Sequence, residues 1–224
     1  MSLTPAPRVL VEACVEGIDA AVAAERAGAD RIELCASLVE DGTTPSAGAM
    51  ALAGSRLTIP VVMMIRPRGG DFVYSSPELE VMERDVAAAR ASGAAGIALG
   101  ILTRDGRVDE DALRPLLRAA GPLPVTFHRA FDHAADLPAA LEALIALGVR
   151  RVLTSGGAPS AREGLDTLAA LVRRSGDRIT VVAGGRVDAA AARELMAAGV
   201  RELHVGNDPA RLASVIAVAG GGGR

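Results

Sequence analysis

Eight times along this chain a short run rich in β-branched residues is followed by an Ala- and Leu-rich stretch of helical period, and this alternation constrains the fold more than any other feature. The runs fall at residues 9–13, 31–34, 61–65, 96–99, 125–128, 151–154, 179–183 and 202–205. Such runs pair in parallel, because a helix must carry the chain back to the same end of the sheet. An open, doubly wound sheet could use the same units. Eight of them in 224 residues, with half the residues hydrophobic and no break in composition, predict closure into a single compact TIM-like (β/α)8 barrel. The barrel is expected over residues 8–219, between a flexible tail at 1–7 and a disordered Gly-rich tail at 220–224.

Helix punctuation agrees with this count. Asp188 and Ser160 stand where N-caps belong, and Asp208 followed by Pro209 supplies a cap with proline at the first helical position. Gly28, Gly93, Gly148 and Gly199 stand where helices should end, in phrases that recur as a weak internal repeat.

Strand alternation then assigns directions to side chains. Val9, Val11, Ala13, Ile32 and Leu34 should face the helices, which turns Glu12, Cys14, Arg31, Glu33 and Cys35 toward the barrel axis. The same parity sends Arg66, Thr126, His128 and His204 inward. Isolated charges in a dry interior cost several kcal/mol, so these groups form either a buried ion-pair layer or a site. Their positions late in the strands favour a site at the C-terminal mouth.

The remaining composition narrows the function classes. A formal net charge of -3 and 2% aromatic residues provide neither a basic field nor stacking surfaces for nucleic acid. No apolar run approaches the roughly 20 residues that span a bilayer, and Met1 to Pro7 lack the features of a signal peptide, so a cytoplasmic protein without a membrane partner is expected. The two cysteines, Cys14 and Cys35, read as free thiols in a reducing compartment. All 24 basic residues are Arg, which removes Schiff-base aldolases and lysine-anchored pyridoxal phosphate chemistry. An aromatic-poor mouth also argues against a nucleotide or other large flat cofactor.

Several long motifs resemble a known family. Val11-Glu12-Ala13-Cys14-Val15, Ala27-Gly28-Ala29-Asp30-Arg31-Ile32-Glu33-Leu34-Cys35, Met64-Ile65-Arg66-Pro67-Arg68-Gly69-Gly70-Asp71-Phe72, Val125-Thr126-Phe127-His128-Arg129-Ala130-Phe131-Asp132 and Leu153-Thr154-Ser155-Gly156-Gly157 are similar, in this order, to the CutC family, which is named for copper homeostasis. The resemblance implies a cytosolic β/α barrel, a homodimer, and Cu(I) bound through the positions of Cys14 and Cys35. It implies no established reaction. Val205-Gly206-Asn207-Asp208 departs from the small Ser-Ala segment of relatives and alters the last loop.

The residues leave two chemistries open. Soft Cu(I) prefers thiolates, and two cysteines at the ends of adjacent strands could bring both sulfurs to one ion. Alternatively, a metal-free acid-base enzyme of isomerase, lyase or epimerase type could act on a small phosphorylated or carboxylated metabolite. Its acid-base candidates are Glu12, Glu33, His128 and His204, and Arg66 and Arg68 would clamp the anion. Ser155, Gly156, Gly157, Gly184 and Gly185 would present backbone N–H groups to the anion, with the loop from Arg66 to Ser75 as a lid. His133, Arg150, Arg151, Arg173 and Arg174 are expected on solvated faces.

Overall fold

The computed structural model describes residues 8–220, so the tail expected at 1–7, and all but Gly220 of the tail expected at 220–224, lie outside the described residues. Eight strands alternate with eight helices: β1 Leu10–Glu16, α1 Ile18–Arg26, β2 Arg31–Cys35, α2 Ala47–Arg56, β3 Val61–Met64, α3 Ser76–Ala91, β4 Gly96–Leu99, α4 Glu110–Ala120, β5 Val125–Phe127, α5 Leu137–Ala146, β6 Arg151–Thr154, α6 Leu165–Ser175, β7 Thr180–Ala183, α7 Ala189–Ala197, β8 Glu202–Val205 and α8 Pro209–Gly220. Each strand pairs in parallel with its sequence neighbours, and β1 also pairs with β8, so the sheet closes. Gly220, expected in the tail, is the last residue of α8. No described helix is long and apolar enough to cross a membrane.

The main core lies between the sheet and its helices. Val11, Ala13, Ile32 and Leu34 on the outer face of β1 and β2 are buried in one cluster with helix residues such as Leu113, Leu141, Leu168 and Leu195. Each leucine contributes about 1.5–3 kcal/mol of transfer free energy when removed from water. The recurring glycine phrases are Schellman caps. Gly28, Gly93, Gly148 and Gly199 all adopt positive φ, and the residue after each, Ala29, Ala94, Val149 or Val200, donates its N–H back to the helix and is buried.

Asp188 and Asp208 cap α7 and α8 as expected, accepting from the amides of Ala191 and Arg211. Ser160 does not cap α6. Its hydroxyl accepts from Glu163 N at 3.3 Å inside a preceding turn, and the helix starts only at Leu165.

Inside the barrel, toward its N-terminal end, lies an ion-pair layer. Arg31 Nε donates to Glu12 Oε2 at 2.5 Å, Arg31 Nη2 donates to Glu202, and Arg151 Nε donates to Glu202 Oε2 at 3.1 Å. Arg151, expected in solvent, is instead half-buried in this layer. As the first residue of β6 it shares the inward parity of Leu153, and the Glu202 carboxylate gives its charge a partner.

Candidate metal-binding site at the barrel mouth

Strand register builds the site. Glu12 lies beside His204 across the β1–β8 ladder, and Cys14 lies beside Glu33 across β1–β2. With Cys35 two residues further along β2, these inward groups stack above the Arg31 layer at the floor of a cavity of about 530 Å³. Cys14, Glu33 and His204 line the cavity directly, and Cys35 packs behind them with Met64. All four groups are buried or nearly so.

The hydrogen bonds assign the protons. Both Glu12 oxygens are taken, Oε2 by Arg31 and Oε1 by His204 Nδ1 at 2.7 Å. Burial opposes ionisation of Glu12, but the His204 hydrogen bond and the Arg31 charge outweigh it and hold its pKa down at about 2. An ionised carboxylate only accepts, so Nδ1 carries a proton and Nε2 faces the cluster, 3.8 Å from Glu33 Oε2.

Cys14 Sγ and Cys35 Sγ are 3.8 Å apart, and Cys35 Sγ is 3.6 Å from Glu33 Oε2. The Cys35 thiol, sharing its hydrogen with Cys14 in a buried setting, is pushed up. That hydrogen bond, helped by His204, prevails over burial and pulls the Cys14 thiol well down. Burial and the Cys14 charge push Glu33 up. For His204 burial favours the neutral form, but its acidic neighbours prevail and raise its pKa. The cluster thus lowers the Cys14 thiol and raises His204 through the same set of contacts.

One ligand atom each from Cys14, Glu33 and His204 lie within 4.8 Å of one another, a spacing that suits a single metal ion. Glu33 Oε1 is buried and, among the described residues, has no hydrogen-bond partner. The family resemblance and the adjacent strand ends point only to the cysteines as ligands. The signal for His204 and Glu33 was their inward parity on strands that flank β1.

His128 stands at the end of β5. Its Nδ1 accepts from Ala130 N at 3.1 Å, and its Nδ1–Cε1 edge lies so close to Gly100 that a Cβ there would sit 2.6 Å away. Burial first, then the Arg66 charge, lower its pKa from 6.5 to about 3. A histidine held neutral in the fold adds stability that is present above pH 6.5 and lost as pH falls toward about 3, because the unfolded chain takes up the proton first. At about 1.4 kcal/mol per pH unit, the wild type should lose a few kcal/mol more than His128→Gln over this interval. Urea titrations of both proteins across the range measure the difference.

The expected anion-binding groups are distributed differently. Arg66 lines the cavity, but its Nη1 donates to the carbonyls of Glu40 and Gly42 and its Nη2 to that of Gly70, so the fork proposed as a clamp ties two loops together. Arg68 does not line the cavity. It pairs with Glu78 at 2.6 Å and Asp71 at 3.0 Å. The 66–75 loop does contribute a wall, through Phe72.

The Ser155–Gly157 turn is already filled by the protein itself. Asp132 Oδ1 accepts from the amides of Ser155 and Gly157 at 3.0 Å each and from the Thr154 hydroxyl. In the sequence Asp132 is only the last residue of the Val125–Asp132 motif, and nothing local marks it as the anion of this turn. Gly184 gives its N–H to the Thr154 carbonyl at 3.0 Å, and a Cβ there would lie 2.6 Å from Leu153 Cδ1 and 3.3 Å from His204. Gly185, in positive φ, does line the cavity. His133 is exposed as expected, yet its ring reaches the rim and stands 5.2 Å from that of Phe72.

The CutC family model matches residues 9–208. The chain belongs to the CutC family. Among its relatives is a CutC protein of Mesorhizobium japonicum, 53% identical over 87% of this chain and 76% of its own length. The human copper homeostasis protein cutC homolog is 50% identical over 87% of this chain and 72% of its own. The crystal structure of a CutC from Streptococcus agalactiae superposes with a TM-score of 0.85 at 36% identity, covering 90% of this chain and 99% of that one. A thiamine phosphate pyrophosphorylase from Pyrococcus furiosus, at TM-score 0.65 and 15% identity, shares the fold alone. In this CutC chain the motif cysteines and the motif glutamates therefore belong to one cluster, which five separate sequence segments do not reveal by themselves.

Proposed function

We propose that this CutC chain acts in copper homeostasis by binding Cu(I) as cargo at the floor of the barrel mouth, through Cys14 and Cys35 with His204 as a third ligand. The observation that carries this reading is the pair of sulfurs 3.8 Å apart. With metal–sulfur bonds of roughly 2.3 Å, that separation corresponds to an S–metal–S angle of about 110°, which suits three or four ligands rather than two in line. His204 Nε2 and Glu33 stand within 4.8 Å of the Cys14 sulfur and offer further ligand atoms. Thiolate and imidazole donors favour Cu(I) over hard cations. A reducing cytoplasm would keep both thiols available.

The acid-base alternative is less well supported, since two of the amides expected to hold its anion, those of Ser155 and Gly157, already bind Asp132, and those of Gly156 and Gly184 are taken by Thr154. Anaerobic titration with Cu(I) tests the proposal. Uptake near one equivalent is expected for the wild type and none for the Cys14→Ser, Cys35→Ser protein. Unchanged uptake by that variant would refute the assignment. Sedimentation of the same preparations checks the homodimer implied by the family.

A further inference from the structure

The cavity is far larger than an ion requires. At about 530 Å³ it falls within the 300–1,000 Å³ typical of pockets for small organic ligands. The thiol cluster occupies its β1, β2 and β8 side, and a different set of groups forms its β3 and β5 side.

There Phe72 packs at once against His128, with centroids 5.2 Å apart, and under the Arg66 guanidinium at 5.0 Å. Two N–H groups of this wall are buried and have no hydrogen-bond partner among the described residues: Arg66 Nε and His128 Nε2. The first is a donor in any state. The second is a donor because Ala130 N donates to Nδ1 of the same ring, which leaves the ring proton on Nε2. Both residues are more than nine-tenths buried, at 3% and 4% exposure.

We propose that this wall is a subsite for a small organic carboxylate, whose oxygens accept from His128 Nε2 and Arg66 Nε while its carbon skeleton lies against Phe72. Two buried donors, one of them on a cation, call for an acceptor that carries negative charge. At the rim Arg186 and Asp41 line the cavity together, and Arg129 is already paired with Asp132 at 2.8 Å, so the preference rests on the two buried donors. A phosphate is disfavoured by the number of donors it needs. The turn that could have supplied more is occupied by Asp132. The subsite uses none of the proposed copper ligands and stands whether or not copper binds.

The test uses the full-length, reduced, copper-free protein labelled with 15N at histidine. The His128 Nε2–H signal is followed while acetate, L-lactate or malonate is added at constant ionic strength, with chloride and inorganic phosphate as controls. At least one carboxylate should move the signal saturably, and neither control should. The same acid should raise the thermal midpoint of the wild type and of the Cys14→Ser, Cys35→Ser protein, but not of His128→Phe. If His128→Phe does not fold, the wild-type titration decides alone. The proposal is overturned if no carboxylate moves the signal, if chloride or phosphate moves it equally, or if the cysteine variant loses the response. Failure of Cu(I) uptake would leave all of these readings unchanged.

Discussion

Replacing Arg31 by Met is expected to cost this protein about 3–5 kcal/mol, the penalty for leaving a buried ionic partner without its counter-charge. For a chain of this size that lowers the thermal midpoint by roughly 10–15 °C. Arg31 is buried and bridges two carboxylates, Glu12 on β1 and Glu202 on β8, so one substitution strips charge compensation from both. Those carboxylates in turn raise the Arg31 pKa against the opposing effect of burial, so the guanidinium is charged at every accessible pH. Arg151 reaches Glu202 but not Glu12, so the loss is not made good from the other side. Arg31→Lys should recover part of the stability, because it restores a charge without the fork that spans both partners. Calorimetry of the two variants checks the expectation. A Met variant as stable as the wild type would show that the layer is electrostatically idle.

The second large effect concerns Glu12, which touches no proposed ligand sulfur. Glu12→Gln should weaken Cu(I) binding by roughly 10–100-fold, as is usual when the outer partner of a ligating histidine is removed. A glutamine has one acceptor oxygen where the carboxylate has two, so it can satisfy Arg31 Nε or His204 Nδ1 but not both. If Arg31 keeps the oxygen, the amide nitrogen meets the Nδ1 proton and the imidazole must turn. Stoichiometry should stay near one equivalent, since Cys14 and Cys35 are unaltered. Anaerobic competition against a chromophoric Cu(I) chelator measures the change. An unchanged affinity would remove His204 from the ligand set.

Much of this arrangement was legible in the residues. The β-branched runs located all eight strands, with differences only at their ends, because burial on both faces leaves a continuous apolar signature in a parallel sheet. The glycine phrases located four helix ends, because positive φ there excludes most other residues. Parity sent Glu12, Glu33, Cys14, Cys35, His128 and His204 inward, and all of them lie inside the barrel.

Partners were not legible. Asp132 fills the Ser155–Gly157 turn, Arg151 joins the interior layer, and Arg66 gives its fork to backbone carbonyls, each through a contact made by groups distant in sequence. An amide exposed on a turn looks the same in sequence whether an external anion or the protein's own carboxylate will bind it.

The sequence by itself therefore determined the barrel and the set of side chains that face its axis, since period and glycine placement are local properties of the chain. Only the tertiary structure decided how those side chains divide. Closure of β1 against β8 brings His204 to Glu12, and the stagger between β1 and β2 brings the two sulfurs to 3.8 Å. Whether a buried polar group is compensated from within or turned toward a ligand depends on ångström-scale distances across the barrel, and no local pattern encodes those distances.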